Sequence, residues 1–305
     1  MIVVAGESLI DLVPAERAGG ALAPLTPRRG GGPYNTAVAL GRLGDRAAFC
    51  SRISTDAFGE ALVEGLREAG VGLAFTQRGP QPTTLAVATV AEDGSAGFGF
   101  HAEGSADRLF ALPTALPPSV RAIAFGTCSL VLEPGATAYE ALLRREADRG
   151  VFTLLDPNIR PGLIPDAGAY RARFRSWLPS VSLLKLSEQD AQWLEGTPEG
   201  WLGSGPAAVV LTRGGAGLSV FTAAGGEVSV PAAPVEVADT IGAGDTVNAA
   251  LLHSLAAHDA LTPPALVSLG DSGWREVLAF AARAAAVTCS RPGADPPYAS
   301  ELLSA

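Results

Sequence analysis

Lysine is almost absent from this chain. Lys185 is its only lysine, and 31 acidic residues against 22 basic ones leave a formal net charge of −9. This acidity argues against nucleic acid as the natural partner, because binding to a phosphate backbone relies on clustered cations. The surroundings of Lys185 exclude a Walker P-loop, and no Gly-x-Gly-x-x-Gly follows the first predicted strand. Any bound phosphate must therefore be held by backbone N–H groups, arginines and a metal ion.

Cysteines and long apolar runs are also scarce. The three cysteines, Cys50, Cys128 and Cys289, lie far apart and show no metal-ligand spacing. We interpret them as buried free thiols in a reducing cytoplasm. No apolar run reaches the length of a membrane span. No charged-then-apolar leader precedes the first strand, so we expect a cytoplasmic protein with no membrane partner.

The most informative segment is residues 239–248. Within it Gly242 and Gly244 flank Ala243, Asp245 follows, and an Ala/Leu-rich helix begins. The start of a helix offers free N–H groups and the positive end of its dipole to an anion. A carboxylate beside an anion repels it, unless that carboxylate accepts a proton from an attacking hydroxyl. Taken alone, the motif is equally consistent with an ordinary helix start carrying a dipole-stabilising Asp245.

A second glycine-rich segment occupies residues 30–44. Three glycines, including Gly31 and Gly32, lead into a stretch with apolar residues at helical spacing. Asn35 falls in the first turn of this predicted helix, where its amide can face a ligand. The alternative is a flexible loop with an asparagine near the helix cap.

Short apolar strands alternate with helices along most of the chain. We predict strands at 2–5, 122–125, 152–155, 183–186 and 209–211, and helices that include 57–69, 138–149, 246–255 and 277–287. This alternation predicts a mostly parallel sheet covered by helices on both faces, with right-handed crossovers. Ligand sites in such sheets lie at the carboxyl ends of the strands. Asp11, Asp156, Ser187 and Thr212 each follow a predicted strand, so we expect them at one edge of the sheet.

These motifs together resemble one family of proteins. Besides residues 30–35 and 239–245, five segments match it in order, at residues 6–11, 156–161, 185–190, 211–217 and 289–294. On this basis the chain resembles the PfkB-family, ribokinase-like carbohydrate kinases, and within them the fructokinase and 2-keto-3-deoxygluconate kinase branch. The resemblance covers nearly the whole chain.

The resemblance implies an α/β fold of three layers, α/β/α, around a mostly parallel sheet. It implies one kinase domain over residues 1–305, with a small β-lid whose strands fall within 12–30 and 84–102. The second lid segment is predicted to be a hairpin that turns at Asp93-Gly94. Lids of this kind are often used for dimerisation, so we expect a homodimer through the lid. The alternative is a surface hairpin on the main domain.

The resemblance also implies ATP-dependent transfer of a phosphoryl group to a sugar hydroxyl. Asp245 would be the base, and the N–H groups of Gly242, Ala243 and Gly244 would stabilise the growing charge. Mg²⁺ would bridge the phosphate oxygens. The sugar ligands that follow from the resemblance are Asp11, Gly31, Gly32, Asn35, Arg160 and His101.

The nucleotide side of the site is implied to follow two further strands. The candidates for binding ATP are Lys185, Ser187, Thr212, Arg213, Gly214, Gly215 and Gly217. Asp190 is the candidate for holding Mg²⁺ through a water molecule, and Asp239 with Gly293 for holding a monovalent cation such as K⁺. Ser187 and Asp190 stand where the family commonly carries asparagine and glutamate, which sets this chain apart at that point.

Three functions remain open at this point. The simplest is a fructokinase that converts D-fructose to fructose 6-phosphate, since His101-Ala102 replaces the Tyr and Arg with which 2-keto-3-deoxygluconate kinases tend to bind a carboxylate. A 2-keto-3-deoxygluconate kinase, or a nucleoside or ribose kinase, is the alternative on the same fold, and Phe98 and Phe100 are compatible with a base pocket. The third is a non-catalytic sugar-sensing relative, against which the presence of Gly244 and Asp245 argues.

Overall fold

The computed structural model describes residues 1–14, 24–90 and 96–302. The strands are β1 (Ile2–Ala5), β2 (Leu9–Pro14), β3 (Leu25–Gly30), β4 (Ala47–Ser54), β5 (Gly72–Gly79), β6 (Thr84–Val90), β7 (Ala96–His101), β8 (Ala122–Gly126), β9 (Phe152–Asp156), β10 (Leu183–Ser187), β11 (Ala208–Thr212), β12 (Leu218–Thr222) and β13 (Glu227–Val230). The helices are α1 (Gly32–Arg42), α2 (Ala57–Glu68), α3 (Gly135–Asp148), α4 (Ala167–Trp177), α5 (Glu188–Leu194), α6 (Pro198–Leu202), α7 (Ala243–Ala257), α8 (Pro263–Ser268), α9 (Gly270–Cys289) and α10 (Ala299–Leu302).

Nine strands form the main sheet, in the order β13-β12-β11-β10-β9-β8-β1-β4-β5. The seven from β11 to β5 are parallel, and β12 and β13 add an antiparallel hairpin at one edge. The predicted mostly parallel sheet is therefore confirmed. β1 has β8 on one side and β4 on the other, so the strand order changes direction beside it. Ligands of open α/β sheets bind at such a point, outside the carboxyl ends of the strands.

Helices cover both faces of this sheet and give two apolar cores. Successive strand residues point to opposite faces, so Val4 belongs to one core and Val3 to the other. The first core contains buried side chains of α1, α2, α7 and α9, and the second those of α3, α4 and α6. Each fully buried Leu or Val contributes about 1.5–3 kcal/mol to stability. The predicted three-layer α/β/α arrangement is confirmed.

A smaller sheet has the strand order β3-β2-β6-β7. β2 and β6 are parallel, while β3 and β7 pair antiparallel at the two edges. β2 begins at Leu9, three residues before residue 12, where the first lid segment is predicted to begin. The predicted turn at Asp93-Gly94 lies outside the described residues.

Some elements differ from those predicted by periodicity. α3 begins at Gly135 and not at residue 138, and α9 extends over Gly270–Cys289. α4, β12 and β13 were not predicted, although α4 buries Tyr170, Phe174 and Trp177 at helical spacing. In the part of the chain that the structure describes, no helix is long and apolar enough to cross a membrane.

Candidate active site

Asp245 lies in the first turn of α7, where the glycine before the helix sets its position. Gly242 has φ 77°, which favours glycine, and a Cβ there would lie 2.6 Å from the Cβ of Ala294. Asp245 is buried, and its Oδ2 accepts a hydrogen bond from Asn35 Nδ2 at 2.9 Å. The starts of α1 and α7 therefore meet at this carboxylate.

The surroundings of Asp245 control its protonation. Burial raises the pKa of Asp245 to about 6, and the nearby charge of Asp156 acts in the same direction. The hydrogen bond from Asn35 and the charges of Lys185 and Arg160 oppose that rise. A carboxyl group with this pKa is mostly ionised at neutral pH, and it is a stronger base than an ordinary aspartate.

A cavity of about 320 Å³ opens in front of Asp245. Its lining includes eight predicted site residues: Asp11, Gly31, Gly32, Asn35, Arg160, Gly242, Gly244 and Asp245. His101 is exposed and is not part of this lining, whereas its neighbour Phe100 is. Successive side chains of a strand point to opposite faces, so the predicted contact between His101 and the sugar has no support in this geometry.

Three polar groups from separate elements converge at Gly32. A Cβ on this glycine would lie 2.7 Å from Thr127 Oγ1, 3.1 Å from Asp245 Oδ1 and 3.4 Å from Asn158 Nδ2. Thr127 and Asn158 have φ angles of 60° and 39°, in the left-handed region that costs energy for residues other than glycine. Thr127 and Asn158 follow β8 and β9, so both stand at carboxyl ends of strands, although neither was predicted.

Asp11 and Arg160 line the same cavity. Burial raises the pKa of Asp11 to about 6, the charge of Asp245 adds to the rise, and Arg160 opposes it. The exposed guanidinium of Arg160 donates to Asn158 Oδ1 at 2.7 Å. Within the described lining Arg160 is the one cationic side chain, against the acids Glu7, Asp11 and Asp245.

A second cavity, of about 250 Å³, lies on the other side of the α7 start. Four of the predicted nucleotide residues, Thr212, Gly214, Gly215 and Gly217, line it. Ala243, predicted as part of the catalytic turn, also lines it. Residues not predicted complete its wall with small and apolar side chains, namely Leu218, Ala232, Ala233, Val235, Val237, Val247, Ala282, Ala285, Ala286 and Cys289. Thr240 and Gly244 line both cavities. A phosphate chain reaching from the second cavity to the first would therefore pass the N–H groups at the start of α7.

Lys185 lies behind this passage and lines neither cavity. It is buried, and its Nζ donates to Asp156 Oδ2 at 2.8 Å. Asn248 Nδ2 donates to the same oxygen at 2.7 Å. A Cβ on Gly244 would lie 3.0 Å from Lys185 Nζ, so the ammonium group sits directly beneath the glycine turn. In this position its charge acts on the phosphate path through the turn.

Arg213 is held away from the second cavity by acidic residues. Its Nη1 lies 3.0 Å from Glu227 Oε1, and its Nε lies 3.3 Å from Glu188 Oε1. Unlike the glycines that follow it, Arg213 is not part of the cavity wall. The predicted contact between Arg213 and ATP therefore has no support in this geometry.

Ser187 and Asp190 form a helix cap. Asp190 Oδ2 accepts from Ser187 N at 2.9 Å and Ser187 Oγ at 2.6 Å, while Ser187 Oγ accepts from Asp190 N. Asp190 Oδ1 accepts from Ile159 N at 2.7 Å. Both carboxylate oxygens are engaged, so this geometry argues against the predicted role of Asp190 in holding a magnesium-bound water. Serine and aspartate at these positions explain why the carboxylate is engaged in a cap, because Ser-x-x-Asp is a capping pattern.

Asp239 and Gly293, predicted to hold a monovalent cation, are in contact. Asp239 Oδ2 accepts from Gly293 N at 2.8 Å, and its Oδ1 accepts from Thr240 N and Ile241 N. The Asp239 carboxylate therefore links the segment after α9 to the loop before α7. Among the described residues no group of three or more His, Cys, Asp or Glu side chains is arranged to hold a metal ion.

Comparison with known proteins agrees with this geometry. The family model described as pfkB family carbohydrate kinase matches residues 1–301. A fructokinase of Rhizobium leguminosarum bv. trifolii is 38% identical over 284 residues, which cover 90% of this chain and 86% of that protein. Fructokinase-2 of Zea mays is 31% identical, with 97% and 90% covered. A crystal structure of fructokinase with bound ATP from Xylella fastidiosa superposes with a TM-score of 0.89 at 26% identity, over 99% of this chain and 97% of the other. The chain belongs to the pfkB family of carbohydrate kinases.

Proposed function

We propose that this kinase transfers the γ-phosphoryl group of ATP to the 6-hydroxyl of D-fructose. One observation carries the proposal. The two cavities share Thr240 and Gly244, and Asp245 lines the first cavity, which is the one rich in polar side chains. The fructokinase that is 38% identical to the chain supports a ketose as the acceptor.

The proposed reaction uses the two oxygens of Asp245 differently. Oδ2 is held by Asn35, while Oδ1 points toward Gly32 at the cavity wall. Oδ1 therefore accepts the proton of the sugar hydroxyl as its oxygen attacks phosphorus. The new O–P bond forms as the bond from phosphorus to the bridging oxygen of ADP breaks, and ADP leaves with that electron pair. The N–H groups of Gly242 to Gly244 stabilise charge on the transferred phosphoryl oxygens.

The cavity is proposed to recognise a neutral sugar through hydrogen bonds to its hydroxyl groups. Asp11, Asn35, Thr127 and Asn158 place hydroxyl-binding groups around the cavity, and Gly32 lets the sugar approach the backbone. Buried groups of this kind reject analogues that lack the matching hydroxyl. Phe100 in the same lining is the observation that keeps a nucleoside or ribose acceptor as the second candidate.

Mg²⁺ and K⁺ belong to the proposal as cofactors. Mg²⁺ usually keeps several waters and binds through one or two carboxylates and the substrate phosphates, whose charge it neutralises. Asp156 Oδ1 is buried without a partner among the described residues, and Asp156 and Asp245 line one small cavity, so this oxygen suits a water of the magnesium shell. The contact between Asp239 and Gly293, where the loop before α7 meets the segment after α9, is the proposed place for K⁺, through backbone oxygens.

The proposal includes a homodimer in the cytoplasm. β3 and β7 are edges of the small sheet, and edge strands expose unpaired backbone groups that can pair with a second copy. Leu25, on β3, is 40% exposed. The free cysteines Cys50, Cys128 and Cys289 fit a reducing compartment. Light scattering coupled to gel filtration tests the dimer.

An ADP-release assay over a sugar panel tests the substrate. We expect kcat/KM for fructose to exceed that for 2-keto-3-deoxygluconate at least about tenfold, because a substrate carboxylate near Glu7 and Asp11 costs about 1–3 kcal/mol. Ribose and nucleosides complete the panel, under identical Mg·ATP and potassium concentrations. A preference for the acid would overturn the proposal and make Arg160→Ala the next variant. Absence of turnover with every sugar would point to a sensing protein.

A further inference from the structure

Glu7 is a buried acid in the cavity of about 320 Å³ in front of Asp245, which we call the sugar cavity. The proposed reaction does not use it. It follows β1, is 2% exposed and lines the same cavity as Asp11 and Asp245. Its Oε2 accepts from Ser129 N at 3.0 Å, whereas Oε1 has no hydrogen-bond partner in the described part of the chain. A buried acceptor without a donor destabilises the unliganded protein. Such an oxygen is what a hydroxyl of a bound sugar would satisfy.

The other oxygen of Glu7 fixes a strained turn. Ser129 N belongs to the turn after β8 in which Thr127 has φ 60°, and a β-branched residue adopts this conformation only under constraint. Thr127 Oγ1 faces Gly32 beside Asp245. Glu7 thus links the wall of the sugar cavity to the surroundings of the base.

The charge balance of the cavity points to the class of ligand. Glu7 stands with Asp11 and Asp245 against the single cation Arg160. Burial raises the pKa of Glu7 to about 7, so near neutral pH its carboxyl group is able either to donate or to accept a hydrogen bond. A hydroxyl both donates and accepts, whereas a substrate carboxylate at this place would be repelled.

We propose that Glu7 determines substrate specificity: its Oε1 binds one hydroxyl of a neutral sugar, and its Oε2 positions the Thr127–Ser129 turn. This inference rests on the proposed function, because it assigns the cavity to a sugar. Glu7 does not touch the transferred phosphoryl group, so its loss should weaken sugar binding more than turnover.

Two variants and a panel of deoxy sugars test the inference. Glu7→Leu removes both polar contacts, and we expect the KM for fructose to rise about tenfold or more, with the KM for ATP within about twofold. Glu7→Gln keeps the shape and both hydrogen bonds, and should restore the KM for fructose to within about threefold of the natural enzyme. Asp107→Asn is the matched control, since Asp107 is a buried acid outside the cavity that binds Thr84 and Ser105.

The deoxy sugars identify the contact itself. In the natural enzyme, one of 1-, 3- and 4-deoxyfructose should lose about tenfold in kcat/KM, and Glu7→Leu should not penalise that analogue further. Where Glu7→Leu is unstable, Glu7→Met takes its place, because it also removes both polar contacts and the penalty at that position must then shrink. A folded apolar variant at Glu7 with a sugar KM within twofold of the natural value, or with the same deoxy penalties as the natural enzyme, overturns the inference.

The two proposals fail in distinguishable ways. Turnover with ribose and not with ketoses overturns fructose as the substrate, and the deoxy comparison then runs on ribose to decide the role of Glu7. A preference for 2-keto-3-deoxygluconate overturns both proposals, because Glu7 would then face a carboxylate. Absence of turnover with every sugar also overturns both.

Discussion

The two cavities that meet at Gly244 are built in opposite ways. The sugar cavity is lined by the carboxyl groups of Glu7, Asp11 and Asp245, each with a pKa raised to about 6 or 7 by burial. The described lining of the other cavity carries no charged side chain and consists of glycine, alanine, valine and a few other small residues. Under the proposed function, recognition of the sugar depends on directed side chains, and recognition of the nucleotide depends on backbone and shape. Substitutions should affect the two substrates separately, except at the shared glycine turn.

The largest expected effect is at Asp245, the most directed group of the sugar cavity. Asp245→Asn keeps the size and the contact to Asn35 but removes the base, so kcat should fall roughly 10²–10⁴-fold. Sugar binding, measured by calorimetry, should change little. Turnover within a few-fold of the natural enzyme would remove Asp245 from the role of base.

The shared wall is tested next by Gly244→Val. A valine side chain would project toward Lys185 Nζ beneath the turn and displace the backbone N–H groups that phosphate must pass, so kcat should fall about 10²–10³-fold. Gly200→Val is the control, because Gly200 also lies in the first turn of a helix but lines neither cavity. If Gly244→Val retains its circular dichroism spectrum and its activity, the anion-binding role of the turn is wrong.

A pH profile sharpens the contrast in charge. A base must be ionised to act, and burial raises the pKa of Asp245 to about 6, so activity should be present above pH 6 and lost below it. We expect kcat/KM to drop about tenfold for each pH unit below that value. The residual activity of Asp245→Asn should lack this limb. An acid limb centred near pH 4 would mean that burial does not perturb this carboxyl group.

The smallest effect is expected in the nucleotide cavity. Val235 is 37% exposed and lines that cavity, so Val235→Ser should raise the KM for ATP roughly three- to fivefold through loss of apolar contact. The KM for fructose should not change. Val267→Ser is a matched control at 37% exposure on α8, and equal effects of the two variants would contradict the assignment of the cavity.

The sequence locates the candidate site through short motifs, each of which is contiguous in the chain. Asp245 and the glycines before it form one contiguous motif, and Asp11 and Asn35 follow from glycine and strand signals. Glu7 and Asn158 lie inside segments that the resemblance covers, and both follow strands, so this signal was available for them. Thr127 also follows a predicted strand, at 122–125, but its left-handed φ could not be predicted from the sequence.

Three predicted contacts lack support in the geometry for a common physical reason, which is that a motif does not say where its side chains point. His101 and Phe100 are neighbours on β7, and only Phe100 lines the sugar cavity. The Asp190 carboxylate accepts hydrogen bonds within a helix cap, and Arg213 forms ion pairs with two acidic residues. The apolar wall of the nucleotide cavity was not predicted, since alanines and valines of α9 and the loop before α7 look like ordinary core in sequence.

The hydrogen bond between Asn35 and Asp245 joins positions 210 residues apart. During synthesis, therefore, an N-terminal sugar-binding half would leave the ribosome long before the base that completes it. Under the proposed function, a truncated or nascent chain that lacks Asp245 cannot transfer a phosphoryl group from ATP, however much of its sheet has formed. Closing such a distant contact is slow compared with local helix formation. In refolding, recovery of catalysis should accordingly trail recovery of helical signal, so activity reports the completed chain and not its parts.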